Sequence, residues 1–119
     1  MSELLLLPHL RNADWPDPWV SISDPTGPPI YSDAAKNSNG ALHLSVELHR
    51  EICAQHPLHG CYCEAVAQSR DDADEYLFLT NHSELAIAFV HLTGQAESDP
   101  QWPYTVGYQT WEAFLAAWS

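Results

Sequence analysis

The hydrophobic and polar positions change their spacing along the chain, and each spacing predicts a different element. Between residues 41 and 55 the apolar side chains recur every three or four positions, which is typical of an amphipathic helix. We expect this helix to end near residue 55, because Pro57 disfavours helical backbone at the residue before it. Residues 61–68 alternate with a period of two, which predicts a strand. One face of that strand is expected to hold Cys61, Cys63, Ala65 and Ala67.

The pattern beyond residue 70 predicts three more strands and a second helix. Residues 76–80 and 85–92 are aromatic and aliphatic runs on either side of a polar turn, so we expect them to pair as a hairpin. The second run is apolar on both faces, which is typical of a strand in the interior of a sheet. A last strand is predicted at 104–108, and Thr110 is suited to cap a short helix that begins at Trp111.

Residues 1–40 are the irregular part of the chain, because they hold six of its nine prolines. A short strand is predicted within them at 19–23, followed by a turn at 24–27. Ser38 or Asn39 is suited to cap the helix that follows.

Together these elements predict an α+β fold. We expect an antiparallel sheet of three to five strands, packed by one long amphipathic helix and a short C-terminal helix. Because 45% of the residues are hydrophobic and 11% are aromatic, the chain has enough apolar side chains to bury a core. Residues 1–119 are therefore predicted to form a single domain, in which 1–40 pack on a core formed by 41–119.

The chain is strongly acidic, with 16 aspartates and glutamates against four lysines and arginines and a formal net charge of -12. A nucleic-acid binder needs clustered basic side chains to neutralise phosphates, whereas the four here are scattered, so we expect no nucleic-acid partner. The same charge repels an anionic membrane surface. No apolar run approaches the roughly 20 residues of a membrane-spanning helix, so we expect no membrane partner.

Two features favour a cytoplasmic location. The apolar run 4–7 follows Glu3 and meets Pro8 without a cleavage site, which differs from a signal peptide. The three cysteines are an odd number, and Cys61 and Cys63 share one predicted strand face, which disfavours a disulfide framework. A reducing compartment fits this cysteine usage.

Histidines and cysteines between residues 49 and 63 form the densest set of potential metal ligands. The candidates are His49, Cys53, His56, His59, Cys61 and Cys63. Zinc takes four such ligands, but the spacing contains no Cys-x2-Cys or His-x3-His pair. A thiol near a histidine would also supply the residue types for nucleophilic catalysis, although nothing in the sequence fixes such a pair. Because cysteine is often a core residue, we expect these cysteines to be buried, with no catalytic residue and no cofactor.

Four acidic residues crowd the loop before residue 76. They are Asp71, Asp72, Asp74 and Glu75. The loop lacks the glycine and the distal glutamate of an EF-hand, so we interpret it as a solvated loop rather than a calcium site. It is the predicted contact surface for a basic protein partner, because opposite charges speed encounter.

The C-terminal end is rich in large aromatic residues. They are Trp102, Tyr104, Tyr108, Trp111 and Trp118. Most of them should be buried, since each can remove a large apolar area from water. One or two are expected to be exposed, where they would support an interface between copies of the chain.

Four sequence blocks together resemble a small family of uncharacterised bacterial proteins. The blocks are Glu47-Leu48-x-Arg50-Glu51, His56-Pro57-Leu58-x-Gly60, Asp71-Asp72 with Leu77-Phe78, and Ala88-x-Val90-His91-Leu92-Thr93. This resemblance implies no activity and no site residue. The helix Trp111-Glu112-Ala113-Phe114-Leu115 is also similar to the ends of small acidic immunity proteins that neutralise bacterial toxins, which implies a protein partner.

The sequence favours a non-catalytic protein-binding domain. In its most specific form this is an immunity-like or antitoxin-like inhibitor that binds a basic partner with an acidic surface. One alternative is a small metal-binding protein or Cys/His enzyme built on residues 49–63. The other alternative is a homo-oligomeric protein of unknown role.

Overall fold

A five-stranded antiparallel sheet lies at the centre of the structure, a computed structural model that describes residues 5–22, 40–72 and 74–118. The strands are adjacent in chain order: β1 Trp19–Ser21, β2 Cys63–Ser69, β3 Glu75–Thr80, β4 Ile87–His91 and β5 Tyr104–Tyr108. Two α-helices accompany them, α1 Gly40–Glu51 and α2 Trp111–Trp118, and a 3-10 turn spans Pro8–Asn12. The α+β class and the antiparallel sheet are thus confirmed. The turn predicted at 24–27 and the cap predicted at Ser38 or Asn39 lie outside the described residues.

Helix α1 is 12 residues long and ends earlier than the hydrophobic spacing predicts. The carbonyl oxygen of Glu51 accepts a hydrogen bond from the backbone amide of Glu97 at 2.8 Å. In a continuing helix that oxygen would accept from Gln55 instead. The chain then leaves the helix through a series of turns, in which the amide of His56 donates to the carbonyl of Cys53 at 3.1 Å.

Strand β2 contains an irregularity that corrects the predicted alternation. Ala65 is opposite Phe78 and Ala67 is opposite Leu77, so Val66 is an extra residue without a register partner. Such a β-bulge moves the residues after it to the other face. Ala65 therefore packs with the residues beneath α1, whereas Ala67 packs on the opposite face, and the prediction that they share a face is wrong.

The sheet carries a hydrophobic cluster on each face. The cluster beneath α1 contains Leu44, Leu48, Ile52, Leu58, Cys63, Ala65, Tyr76, Phe78, Ala88, Val90 and Leu92. The cluster on the other face contains Leu5, Leu10, Trp19, Val66, Ala67, Leu77, Leu79, Ile87, Phe89 and Phe114. Strand β4 contributes to both clusters, which confirms its predicted interior position and its two apolar faces.

The N-terminal segment and α2 together cover the second face. Trp19 makes edge contacts with Phe89 and Trp118, with ring centroids 5.7 and 5.2 Å away. Trp15 meets Trp111 and Phe114 in the same edge-to-face manner. The hydroxyl of Thr110 accepts a hydrogen bond from the amide of Ala113 at 3.1 Å, so the predicted cap of α2 is present.

None of the described helices is long and apolar enough to cross a bilayer.

Candidate functional site

Both ring nitrogens of His49 lie within hydrogen-bond distance of backbone carbonyl oxygens. Its Nδ1 lies 2.8 Å from the carbonyl oxygen of Ser45, and its Nε2 lies 2.8 Å from the carbonyl oxygen of Cys61. A carbonyl can only accept and a neutral imidazole has one N–H group, so each tautomer of His49 donates one of these two hydrogen bonds. The side chain thereby joins α1 to the start of β2, and a metal ion at either nitrogen would have to displace one of these contacts.

His56 is buried and joins two loops. Its Nδ1 accepts a hydrogen bond from the amide of Leu58 at 3.0 Å, so the ring hydrogen is on Nε2, which lies 3.1 Å from the carbonyl oxygen of Pro103. Desolvation lowers the pKa of His56, although the bond to Pro103 opposes this effect. The ring therefore acts as a structural link between the segment after α1 and the segment before β5.

The cysteine thiols make no hydrogen bond with the rings of His49 or His56, which contact backbone atoms and Thr105 instead. Cys63 is buried, and burial raises the pKa of its thiol to about 12. The pKa of Cys61 is also raised by burial, and its Sγ lies 3.9 Å from the carbonyl oxygen of Pro57. Cys53 is partly buried and His59 is exposed. A protonated thiol is a poor nucleophile and a poor metal ligand, so the contacts of Cys61 and Cys63 favour packing roles.

A different group of potential metal ligands lies at the end of the β2–β3 hairpin. Within residues 5–22, 40–72 and 74–118, Asp72, Asp74 and His91 are the one set of three whose ligand atoms all lie within 4.8 Å of one another. A cation would find two carboxylates and an imidazole there. The six histidines and cysteines of residues 49–63 form no such set. The grouping was missed from sequence because His91 reaches the loop through strand register rather than through sequence spacing.

The acidic loop, defined here as Asp71, Asp72, Asp74 and Glu75, makes several backbone hydrogen bonds at its described residues. The hydroxyl of Ser69 accepts hydrogen bonds from the amides of Asp71 and Asp72 at 3.1 and 3.2 Å. Asp72 Oδ1 accepts from the amide of Asp74 at 2.9 Å. The carbonyl of Asp74 in turn accepts from the amide of Leu92 at 2.9 Å, which fixes the loop against the end of β4. These bonds fix the backbone positions of Asp71, Asp72 and Asp74 and hold the Asp72 carboxylate.

The three described arginines are all bound to acidic side chains of the chain itself. Arg11 binds Glu64 at 2.7 Å, Arg50 binds Glu47 at 3.0 Å, and Arg70 binds Asp17 at 2.7 Å. Arg70 also lies 3.6 Å from Asp71. For Asp72 and Asp74 the structure shows no arginine partner among the described residues, and Glu75 is 3.5 Å from His91. Partial burial and the nearby Asp72 charge raise the pKa of Glu75. Within the loop, Asp71 and Glu75 thus each have a basic side chain nearby, whereas Asp72 and Asp74 have no arginine partner among the described residues.

An aromatic groove lies at the same end of the sheet. Its lining residues are His56, Pro57, Pro100, Gln101, Trp102, Pro103, Tyr104 and Thr105, and its volume is about 250 Å³. Trp102 is 45% exposed and Tyr104 is 52% exposed, whereas Tyr108, Trp111 and Trp118 pack against the second cluster. The structure thus has two exposed aromatic residues at the C-terminal end, as the sequence predicts, but the groove between them was not predicted.

Strand register connects the groove with the acidic loop. Glu75 of β3 is opposite His91 of β4, and His91 is opposite Tyr104 of β5. Directly opposed residues point to the same face of a sheet. Because neighbouring strands are about 4.8 Å apart, the Glu75 backbone lies about 10 Å from that of Tyr104. Negative charge and exposed aromatic surface therefore form one continuous area.

Comparisons of the chain with protein-family models, with curated proteins and with solved structures find no match. The resemblance of the four sequence blocks to a bacterial family stays a prediction, and so does the similarity of the C-terminal helix to immunity proteins. A function for the chain has to be inferred from its own residues.

Proposed function

We propose that the chain is a non-catalytic protein-binding domain that recognises a basic partner with its acidic loop. The observation that carries this proposal is that Asp72 and Asp74 have no arginine partner among the described residues, whereas Glu64, Glu47 and Asp17 are each paired with an arginine. The Asp72 carboxylate already accepts a hydrogen bond from the amide of Asp74, so it loses little conformational freedom when a partner binds. In its most specific form, the domain is an immunity-like inhibitor that occupies the basic cleft of a toxin.

Affinity capture from the lysate of the native cell tests the proposal. The amount of captured protein is compared between the wild type and two variants with altered charge. The test variant is Asp71→Lys/Asp74→Lys, because Asp72 has to keep its bond to the amide of residue 74. The matched control is Glu84→Lys/Glu112→Lys, which changes the net charge equally at two exposed residues near the opposite end of the sheet. Both variants should stay folded, since exposed substitutions change stability by about 0.5 kcal/mol.

We expect the wild type and the control to capture the same basic protein, and the test variant to lose it. The captured amount should also fall as salt is added, because exposed charge pairs are screened. Equal loss in both variants would indicate non-specific charge attraction, and capture without any basic protein would refute the proposal. If the captured protein is toxic, the inhibitor form further requires that stoichiometric addition of this domain abolishes its activity.

The metal-binding alternative and the oligomer alternative have their own test. Native mass spectrometry of freshly purified, untagged protein reports bound metal and subunit number together. One zinc per chain would favour a metal-binding function, and a dimer would favour self-association through the exposed Trp102 and Tyr104. A metal-free monomer agrees with the binding domain proposed above.

A further inference from the structure

The aromatic groove has a rigid floor before any ligand arrives. The buried ring of His56 connects Leu58 and Pro103, and Thr105 Oγ1 donates to the carbonyl of Pro103 at 3.0 Å. The turn that leads into the groove is fixed as well, because Asp99 accepts hydrogen bonds from the amides of Gln101 and Trp102 at 2.9 and 3.0 Å. A groove that is already formed binds a ligand without the entropic cost of ordering itself.

The walls of this groove are apolar and offer few backbone donors. Pro57, Pro100 and Pro103 have no N–H group, and the half-exposed Trp102 and Tyr104 line the groove with them. The Tyr104 ring also meets the Phe89 ring edge-on, with centroids 6.2 Å apart. Within the part of the chain that the structure describes, the Trp102 indole N–H and the Tyr104 hydroxyl make no hydrogen bond. Flat rings with polar tips suit a ligand whose backbone carbonyls are unsatisfied. A polyproline II segment is such a ligand, because it has no internal hydrogen bonds.

The charge around the groove determines which segment fits. Asp99 is exposed in the turn before Gln101. The acidic loop leads into β3, the strand next to β4, where Glu75 is opposite His91. An arginine side chain can pair with these carboxylates and can also stack on an aromatic face. The separation of about 10 Å between Glu75 and Tyr104 equals about three residues of polyproline II, which rises about 3.1 Å per residue.

We infer that the aromatic groove binds an extended, proline-containing segment of the basic partner, with an arginine about three residues beyond the last proline that reaches the acidic loop. This inference rests on the proposed function, since it names the partner segment that the acidic end recognises. Trp102 and Tyr104 contact the prolines, and Asp72, Asp74 and Glu75 contact the arginine.

A synthetic peptide tests the inference without knowledge of the partner. The probe is a short, blocked peptide with two prolines separated by two residues and an arginine three residues after the second proline. One control peptide replaces the prolines by alanine, and another replaces the arginine by glutamine. Binding to the full chain is measured by isothermal titration calorimetry and by tryptophan fluorescence. The protein variants are Trp102→Ala, Tyr104→Ala and Tyr104→Phe, with Tyr62→Ala as the matched control because Tyr62 is exposed outside the groove.

We expect the probe to bind the wild type and the Tyr62→Ala variant equally. Each alanine substitution in the groove should weaken binding about tenfold, which is typical of a central aromatic anchor. Tyr104→Phe keeps the ring and should retain more affinity than Tyr104→Ala, which separates a loss of contact from a loss of folding. The alanine peptide should bind at least about tenfold more weakly, and the glutamine peptide should lose the salt dependence.

Three results would overturn the inference. If the alanine peptide binds as well as the probe, or if the groove variants bind normally, proline is not the ligand of the groove. The basic-partner proposal would survive in that case, provided that the Asp71→Lys/Asp74→Lys variant still loses its captured partner. If sedimentation shows a dimer that Trp102→Ala converts to a monomer, the groove is occupied by a second copy of the chain. If the wild type captures no basic protein and does not bind the probe peptide, both proposals are refuted.

Discussion

Glu51 and Thr93 are joined by two hydrogen bonds across the end of α1. The Glu51 carboxylate accepts from the backbone amide of Thr93 at 2.7 Å and from its hydroxyl at 3.1 Å. It also accepts from the amide of Gly94 at 2.9 Å. The Glu51 side chain is completely buried, and it therefore anchors the β4–β5 loop, which continues into the aromatic groove.

The pKa of Glu51 predicts a pH dependence of stability. The Thr93 and Gly94 donors lower this pKa, but burial and a hydrogen bond shared with Glu47 outweigh them and raise it from 4.5 to about 7. A carboxyl with a raised pKa stabilises the fold below pH 4.5, and this contribution is lost as the pH rises to about 7. The loss can reach about 3 kcal/mol, because one pKa unit corresponds to about 1.4 kcal/mol.

The variant Glu51→Gln isolates this effect. It should be less stable by about 1–3 kcal/mol, because an NH2 group replaces one acceptor oxygen. Urea unfolding at several pH values should also show that its stability no longer falls between pH 4.5 and 7. Glu84→Gln makes the same change at an exposed glutamate and serves as the control. Equal pH slopes in Glu51→Gln and the wild type would contradict the prediction.

His56 predicts a pH dependence of the opposite sign. Burial lowers the pKa of His56 below 6.5, so the unfolded chain takes up a proton at this residue before the folded chain does. The stability that neutral His56 provides is present above pH 6.5 and is lost as the pH falls through the lowered pKa. His56→Gln should cost about 1–3 kcal/mol at neutral pH, because the flexible amide does not reproduce both ring hydrogen bonds, from the amide of Leu58 and to the carbonyl of Pro103.

The difference in unfolding free energy between the wild type and His56→Gln is the quantity to measure. We expect it to shrink as the pH is lowered from neutral, since the wild type then loses its advantage. His59→Gln serves as the control, because it changes an exposed histidine three residues away that lies outside the buried link between Leu58 and Pro103. A difference that stays constant with pH would show that His56 does not titrate with unfolding.

Trp19 tests whether the N-terminal segment unfolds together with the sheet. Its side chain is 4% exposed and lies against Phe89 and Trp118. Trp19→Ala should lower the free energy of unfolding by about 3–5 kcal/mol, as expected for a buried aromatic. Trp102→Ala, at an exposed tryptophan, should cost about 0.5 kcal/mol. Similar costs for both variants would mean that residues 5–22 contribute little to the cooperative core.

The periodicity of the sequence predicts the helices and strands, but it does not predict the β-bulge in β2 or the early end of α1. Residues 85–92 are apolar on both faces, and the structure places β4 between two clusters. The bulge at Val66 leaves no trace in a period-two pattern, because an alanine fits either face. The early end of α1 depends on the amide of Glu97, a contact between residues far apart in sequence.

At the candidate site too, the sequence predicts local properties but not contacts between residues far apart in the chain. Crowded acids at 71–75 could be recognised from the sequence, because their charge is a local property. The approach of His91 and Tyr104 depends on strand register, and the aromatic groove depends on the contact between His56 and Pro103. The predicted strands 76–80 and 85–92 leave their register open, so the pairing of Glu75 with His91 and the groove both depend on three-dimensional contacts.

Gly107 provides a last prediction, because the packing of β5 leaves no room for a side chain there. A Cβ atom at this residue would lie 1.8 Å from Leu85 Cδ2 and 3.0 Å from the carbonyl oxygen of Glu84. Gly107→Ala should therefore cost about 1–3 kcal/mol, which is typical of overpacking. Leu85 is partly buried against the first cluster, so Leu85→Ala removes contacts and opens the space that the new methyl group needs.

A double-mutant cycle separates these two effects. The double variant Gly107→Ala/Leu85→Ala should be more stable than the sum of the single costs predicts, with a coupling energy of about 1 kcal/mol or more. The measurement is chemical unfolding of the wild type, both single variants and the double variant under the same conditions. Additive costs would show that the Glu84 carbonyl, rather than the Leu85 side chain, sets the limit at this position, because only the side chain is shortened in the double variant.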